Sequence, residues 1–153
     1  MKRLLLAAVL FFLSEISFAK EKLNYTVTSD SQIQNVEGNF EAIGNVVIKS
    51  IHNNFEATSN KLTYDKDART LKLIGNVVVK RTKDNFEASS DKLSYDNDSK
   101  TLKLFGNVFI KNIESEGLSI EETSGDELII FTDTGIFEFK SQNKNRVTTK
   151  IKF

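Results

Sequence analysis

The chain has 153 residues, enough for one domain, and its 21 basic and 21 acidic side chains cancel, which argues against a nucleic-acid binder held by phosphate neutralisation. Cysteine is absent, so disulfides, a thiolate zinc site, a cysteine nucleophile and a Cys-borne lipid are excluded. The single histidine, His52, leaves little room for histidine catalysis or a multi-histidine metal site.

The N-terminus reads as an export signal. Lys2 and Arg3 give a positive start, Leu4 to Leu13 is an apolar run, and Ser17-Phe18-Ala19 offers small residues for cleavage. The run is shorter than the ~20 apolar residues that span a bilayer. The expectation is a signal peptide over 1–19 and one domain over 20–153. An uncleaved membrane anchor is the alternative, because Glu15 is unusual in a cleavage region. Export without cysteine fits a bacterial periplasm better than a disulfide-stapled extracellular module.

Beyond this leader the chain repeats. Asn54–Lys80 and Asn85–Lys111 are identical at 18 of 27 positions with a shift of 31 residues. Gly44, Gly75 and Gly106 each open a Gly-Asn-Val step at that interval, so Asn39–Val46 is the tail of an earlier partial copy. After Gly106 the copy degrades, with Gly125-Asp126-Glu127-Leu128 standing for Ser90-Asp91-Lys92-Leu93. A fixed period of this kind signals stacked units that cannot bury their apolar faces alone.

Within each copy apolar residues alternate with polar ones, the strand period. No stripe of helical period is present beyond the leader; a short helix near Lys20–Leu23 is the only one considered. The spacing predicts short strands of about five residues with one wet face. In chain order the inward set is Phe55, Ala57, Leu62, Tyr64, Leu71, Leu73, Val77 and Val79. The second copy adds Phe86, Ala88, Leu93, Tyr95, Leu102, Leu104, Val108 and Ile110. The degraded copy adds Leu118, Ile120, Leu128, Ile130, Phe137 and Phe139. Asp65-Lys66-Asp67 and Asp96-Asn97-Asp98 read as turns, and the Gly-Asn steps as tight turns or bulges. A register slip of one residue would invert the inward set.

Candidate chemistry is sparse. Asp65/Asp67 and Asp96/Asp98 do not fit a calcium loop, because Thr70 and Asn76 stand where Gly and Glu are needed. As a glycosidase pair they would sit on turns rather than in a cleft. His52, in the polar hinge Ile51–Asn54, has no evident nucleophile or orienting acid. Lys80-Arg81-Thr82-Lys83 is a basic cluster at a strand end, either a solvated rim or a contact for the phosphates of an anionic ligand. The expectation is a non-enzyme with no cofactor, no metal and no nucleic-acid partner. The apolar interior is either a closed core or a groove for an acyl chain. Val147–Phe153 alternates well and contains no proline, which suits it to pair with another chain's edge.

Four stretches together resemble the OstA-like (LptA) family of lipopolysaccharide-transport proteins. They are Ser29-Asp30 followed by Gly44-Asn45-Val46-Val47, and the Ala57–Tyr64 strand with its copy Ala88–Tyr95. The others are Leu73–Val77 with its copy Leu104–Val108, and Gly125–Leu128 followed by Asn145–Thr149. The resemblance covers about residues 25 to 150. It implies an all-β fold, a twisted β-jellyroll of consecutive antiparallel strands open at both ends. It also implies that lipid A acyl chains ride in the interior, against Phe55, Leu62, Tyr64, Leu71, Leu73, Val77, Val79, Phe86, Leu93, Tyr95, Leu102, Leu104, Val108, Ile110, Leu128 and Ile130. Head-to-tail stacking, and docking of edge strands on inner- and outer-membrane components of a transport bridge, are implied as well. The 31-residue copies are more regular than such a family requires, which keeps a ligand-free structural β-repeat as the alternative reading. A retained anchor would instead suit the inner-membrane component of the same pathway.

Overall fold

The structure, a computed structural model, describes residues 25–50, 55–82, 85–115, 118–131, 133–134, 136–142 and 145–152. The expected leader, the short helix near Lys20–Leu23, His52 and Lys83 lie outside the described residues. Among the described residues ten strands form one antiparallel sheet. They are β1 (Tyr25–Thr28), β2 (Ser31–Gln34), β3 (Phe40–Ser50), β4 (Phe55–Asp65), β5 (Thr70–Arg81), β6 (Phe86–Asp96), β7 (Thr101–Ser115), β8 (Leu118–Phe131), β9 (Ile136–Lys140) and β10 (Thr148–Lys152). β3 to β8 pair in chain order. At one end β1 and β2 both pair with β3, and at the other β9 and β10 both pair with β8.

The central strands run 11 to 15 residues, well beyond the short strands expected from alternation. The reason is that the Gly-Asn steps do not end strands. Gly44 and Asn45 of β3 stand against the single residue Asn60 of β4. Gly75 and Asn76 of β5 stand likewise against Asp91, and Gly106 and Asn107 of β7 against Asp126. Each step is a β-bulge, two residues facing one. Both residues of each step have positive φ, as at Gly75 (81°) and Asn76 (49°), a conformation that glycine adopts freely and asparagine tolerates. A Cβ on Gly44 or Gly106 would overlap the Asp30 or Asp91 carboxylate, so glycine also serves the close approach.

The bulges line up across the sheet as a crease. Asn45 donates from Nδ2 to Asp30 Oδ2 at 2.9 Å, and Asn107 donates to Asp91 Oδ2 at 3.0 Å. At the far edge the backbone N–H of Gln142 donates to Asp126 Oδ2 at 2.6 Å. A β2–β9 half lies on one side of the crease and a β1–β10 half on the other. Alternate residues on one face are almost fully buried in both halves, and no helix among the described residues covers them. The sheet therefore covers itself, its halves facing one another across a shared apolar core. It remains open, because among the described residues β1 and β10 end the strand order without pairing to each other.

The acidic turns fall where expected. Asp65 Oδ1 accepts from the Ala68 N–H at 2.9 Å, and Asp96 Oδ1 accepts from the Asp98 and Ser99 N–H groups. The Ser99 N–H, with Asp98, holds the Asp96 carboxyl below the usual range. The Arg69 guanidinium, donating to Asp98 at 3.0 Å, ties the two turns together.

On the outward face one row alternates in charge across seven strands. Lys49, Glu56, Lys80, Glu87, Lys111, Glu122 and Lys150 stand opposite one another in succession. Opposite charges across a pair favour this register, and a slip would set unlike groups out of line. The row ends on Lys150, whose Nζ donates to Glu122 Oε2 at 2.8 Å. That hydrogen bond holds the Glu122 carboxyl below its ordinary range and raises Lys150. A lowered carboxylate stabilises the fold fully above its unfolded value and loses that contribution as pH falls through the folded value. Acidification through the glutamate range should therefore weaken cross-strand NOEs between β8 and β10. E122Q should start from the weakened state and respond little to that pH change.

Candidate functional site

The inward rows are built by register. In one half Ala42, Leu62, Leu73, Leu93, Leu104 and Leu128 stand opposite each other in turn. The next row toward that end holds Phe40, Tyr64, Leu71, Tyr95, Leu102, Ile130 and Phe137. Across the crease Val27, Ile48, Ala57, Val79, Ala88, Ile110 and Thr123 form the matching row. Leu73 and Leu128 are 0 % exposed, and the rows form one apolar cluster.

Of the interior residues expected from alternation, Leu62, Leu71, Leu73, Val77, Val79, Phe86, Leu93, Tyr95, Leu102, Leu104, Val108, Ile110, Leu128 and Ile130 are buried together, with Ala57 and Ala88 among them. Tyr64, Phe137 and Phe139 pack against that cluster half-buried, and burial pushes the Tyr64 phenol up. Ile120 is half-buried. The side chains of Phe55 and Leu118 lie outside the described residues. The alternation count does not include Ala42, Val46 and Ile48 of β3, which complete the interior. Nor does it find Ser59 and Ser90, which are buried because each hydroxyl donates to a carbonyl two residues on, Lys61 O and Lys92 O.

The basic cluster at the end of β5 splits between faces. Lys80 lies in the outward charge row, opposite Glu56 and Glu87. Arg81 continues the inward row of Val77 and Val79, half-buried, opposite Phe55 and Phe86. Its guanidinium carbon is 5.9 Å from the centroid of the Phe86 ring. Among the described residues no group of three or more His, Cys, Asp or Glu side chains could hold a metal. A depression of about 370 Å³ near β2 is lined by Glu41, Thr63 and Lys72 of the outward face and bordered by Phe40 and Tyr64.

Both edges of the sheet carry exposed apolar side chains. Ile33 and Val36 lie at the β2 edge, and Ile136 and Ile151 at the β9 and β10 edge. Among the described residues β1 pairs only with β3, and β10 only with β8.

An open, creased antiparallel sheet wrapped on an apolar interior can be set beside known proteins. The sequence profile described as LptA/(LptD N-terminal domain) LPS transport protein matches residues 19–101, more than half of the chain. The chain belongs to this family. A comparison with curated protein sequences found no significant match. Among solved structures the fold is similar to that of LptH of Pseudomonas aeruginosa. That protein is described as the LptA-homologous periplasmic component of the conserved lipopolysaccharide transport device. The TM-score is 0.62 at 18 % identity, covering 84 % of this chain and 94 % of LptH. The family is one of transport proteins, not enzymes. Its jellyroll accounts for the strand order seen here, which is open rather than closed into a barrel.

Proposed function

We propose that this chain is a periplasmic carrier that shields the acyl chains of lipid A between its two half-sheets as lipopolysaccharide moves from inner to outer membrane. The observation that carries the reading is the continuous set of inward apolar rows inside a sheet left open at both edges. Burying an acyl chain there is favourable by ~0.8 kcal/mol per CH₂. The process is passive, since the sequence has no nucleotide-binding loop to supply direction. The unpaired edges of β1/β2 and β9/β10 suit strand addition, by a second copy stacked head to tail or by membrane components at either end of a bridge.

The full packing of residues such as Leu73 and Leu128 also favours a second reading, a structural β-repeat without ligand. The two separate by photo-crosslinking in cells, with the probe at Leu104 or at Lys103. These neighbours on β7 face opposite sides, and Leu104 is buried. A lipopolysaccharide adduct at Leu104 and none at Lys103 is expected. Protein adducts at both positions, with no lipid adduct, would favour the structural reading.

A further inference from the structure

Resting on the carrier reading, we infer that the depression beside β2 receives a sugar ring of the ligand's glycan while the acyl chains lie in the interior. The depression holds about 370 Å³, at the small end of the ~300–1,000 Å³ of ligand clefts. It lies where the turn after β2 meets the turn between β4 and β5. Asn39, from the first turn, accepts the Lys66 N–H of the second on its Oδ1 at 2.8 Å and ties the two together. Phe40 and Tyr64, opposite one another on β3 and β4, line the depression, and both also pack against the apolar cluster of the interior. The depression and the interior therefore share a wall, and one amphiphile can reach both.

The polar lining is mixed, and the mixture selects the ligand. Glu41, Thr63 and Lys72 stand side by side on three adjacent strands, about 5 Å apart. Among the described residues no hydrogen bond or ion pair occupies Lys72 or the Thr63 hydroxyl. Glu41 meets Lys61 through Oε1 at 2.9 Å, and Asp65 receives the Ala68 N–H on Oδ1, so each carboxylate keeps an oxygen that can accept. Asn39 spends its carbonyl oxygen on Lys66, which leaves its NH₂ to donate. Donors and acceptors are thus interleaved beside aromatic carbon. A phosphate would meet the carboxylates of Glu41 and Asp65 as well as Lys72, a poor site for an anion. A pyranose matches the set, with hydroxyls that both donate and accept and a C–H face that lies on apolar rings. One repeat later the same row reads Lys72, Ser94 and Lys103 and has no acid, so the mixture is particular to the β2 end.

The test first titrates the isotope-labelled chain with the glycan of lipopolysaccharide, freed of acyl chains and phosphate. Amide signals of Glu41, Thr63 and Lys72 should move. Those of Thr58 and Val78, beyond the crease on the same outward face, should stay. In binding assays wild type should then prefer whole lipopolysaccharide to lipid A without its glycan by about tenfold, the size of one or two hydrogen bonds. T63V and K72A should each lose part of that preference, and the double variant all of it, with lipid A bound as by wild type. T58V and K80A should keep it. Equal affinity of wild type for the two lipids would overturn the inference and leave the carrier reading standing, as would a preference unchanged in the double variant. Inorganic phosphate that moves the same amides as strongly as the glycan would overturn it in favour of an anion site. Binding of neither lipid, with the glycan still moving these amides, would sink the carrier reading while supporting the sugar site. Thermal melts of T63V and K72A establish that the comparison is between folded proteins.

Discussion

Truncating Leu73 to alanine should destabilise the fold by about 2–5 kcal/mol. Leu73 is 0 % exposed and sits in β5, with Leu62 opposite on one side and Leu93 on the other. Its neighbours are fixed by ladders on both flanks, so the space it leaves is slow to collapse, which places the cost toward the upper part of that range. For a chain of this size the melting temperature should fall by roughly 5–15 °C. Lys72→Ala is the control. That side chain is exposed on the opposite face, and its loss should change stability by less than about 0.5 kcal/mol. Equal losses in the two variants, measured by urea denaturation, would mean that the inward set is wrong. The same pair bears on function: a larger chamber in L73A should leave lipid affinity intact while stability falls, a split that a closed structural core would not produce.

The inward set was legible because the period of two survives within each half-strand. It survives with a change of parity that the sequence also displays. Ala57 and Ser59 are buried, then Leu62; Ala88 and Ser90 are buried, then Leu93. The switch falls at Asn60 and Asp91, the residues that face the Gly-Asn steps. Strand length was not legible. A Gly-Asn pair is as good a two-residue hairpin turn as it is a bulge, and only the partner strand decides between them. Here each partner supplies an Asp or Asn opposite the step, and the strand runs on.

Ala42, Val46 and Ile48 of β3 stand 31 residues before Leu73, Val77 and Val79, so the repeat itself marks them as inward, although the alternation count stops short of the first copy. Arg81 was visible as part of a basic cluster. Its inward direction required knowing that β5 keeps its alternation to its last residue, beyond the point where hydrophobic pattern can report it. The functional family was legible in the order and spacing of the Gly-Asn-Val and Ser-Asp steps. Those steps build the crease, and the crease is what folds the sheet over its interior.

Gly106→Ala should destabilise the fold by about 2–3 kcal/mol, and part of that loss should be recoverable at a second site. The φ of 76° places a non-glycine residue in the left-handed region at a cost of roughly 1–2 kcal/mol. The added Cβ would also overlap the Asp91 carboxylate. Asp91 would have to turn away, giving up the hydrogen bond it accepts from Asn107, a loss of about 0.5–1.5 kcal/mol. These two contributions can be separated by a double-mutant cycle, because only the second involves Asp91. In D91A the hydrogen bond is already gone and the overlap is relieved, so adding G106A should then cost only the backbone share. A coupling near zero would mean that glycine is required at the crease for its dihedral angles alone. A coupling of about 1 kcal/mol would mean that the Asp–Asn pairing across the bulge shapes the crease as well. The Gly75 step supplies the comparison within the same chain, since the residue packed on it is the neutral Asn60 rather than an aspartate. G75A should therefore show the backbone cost with a weaker dependence on its partner.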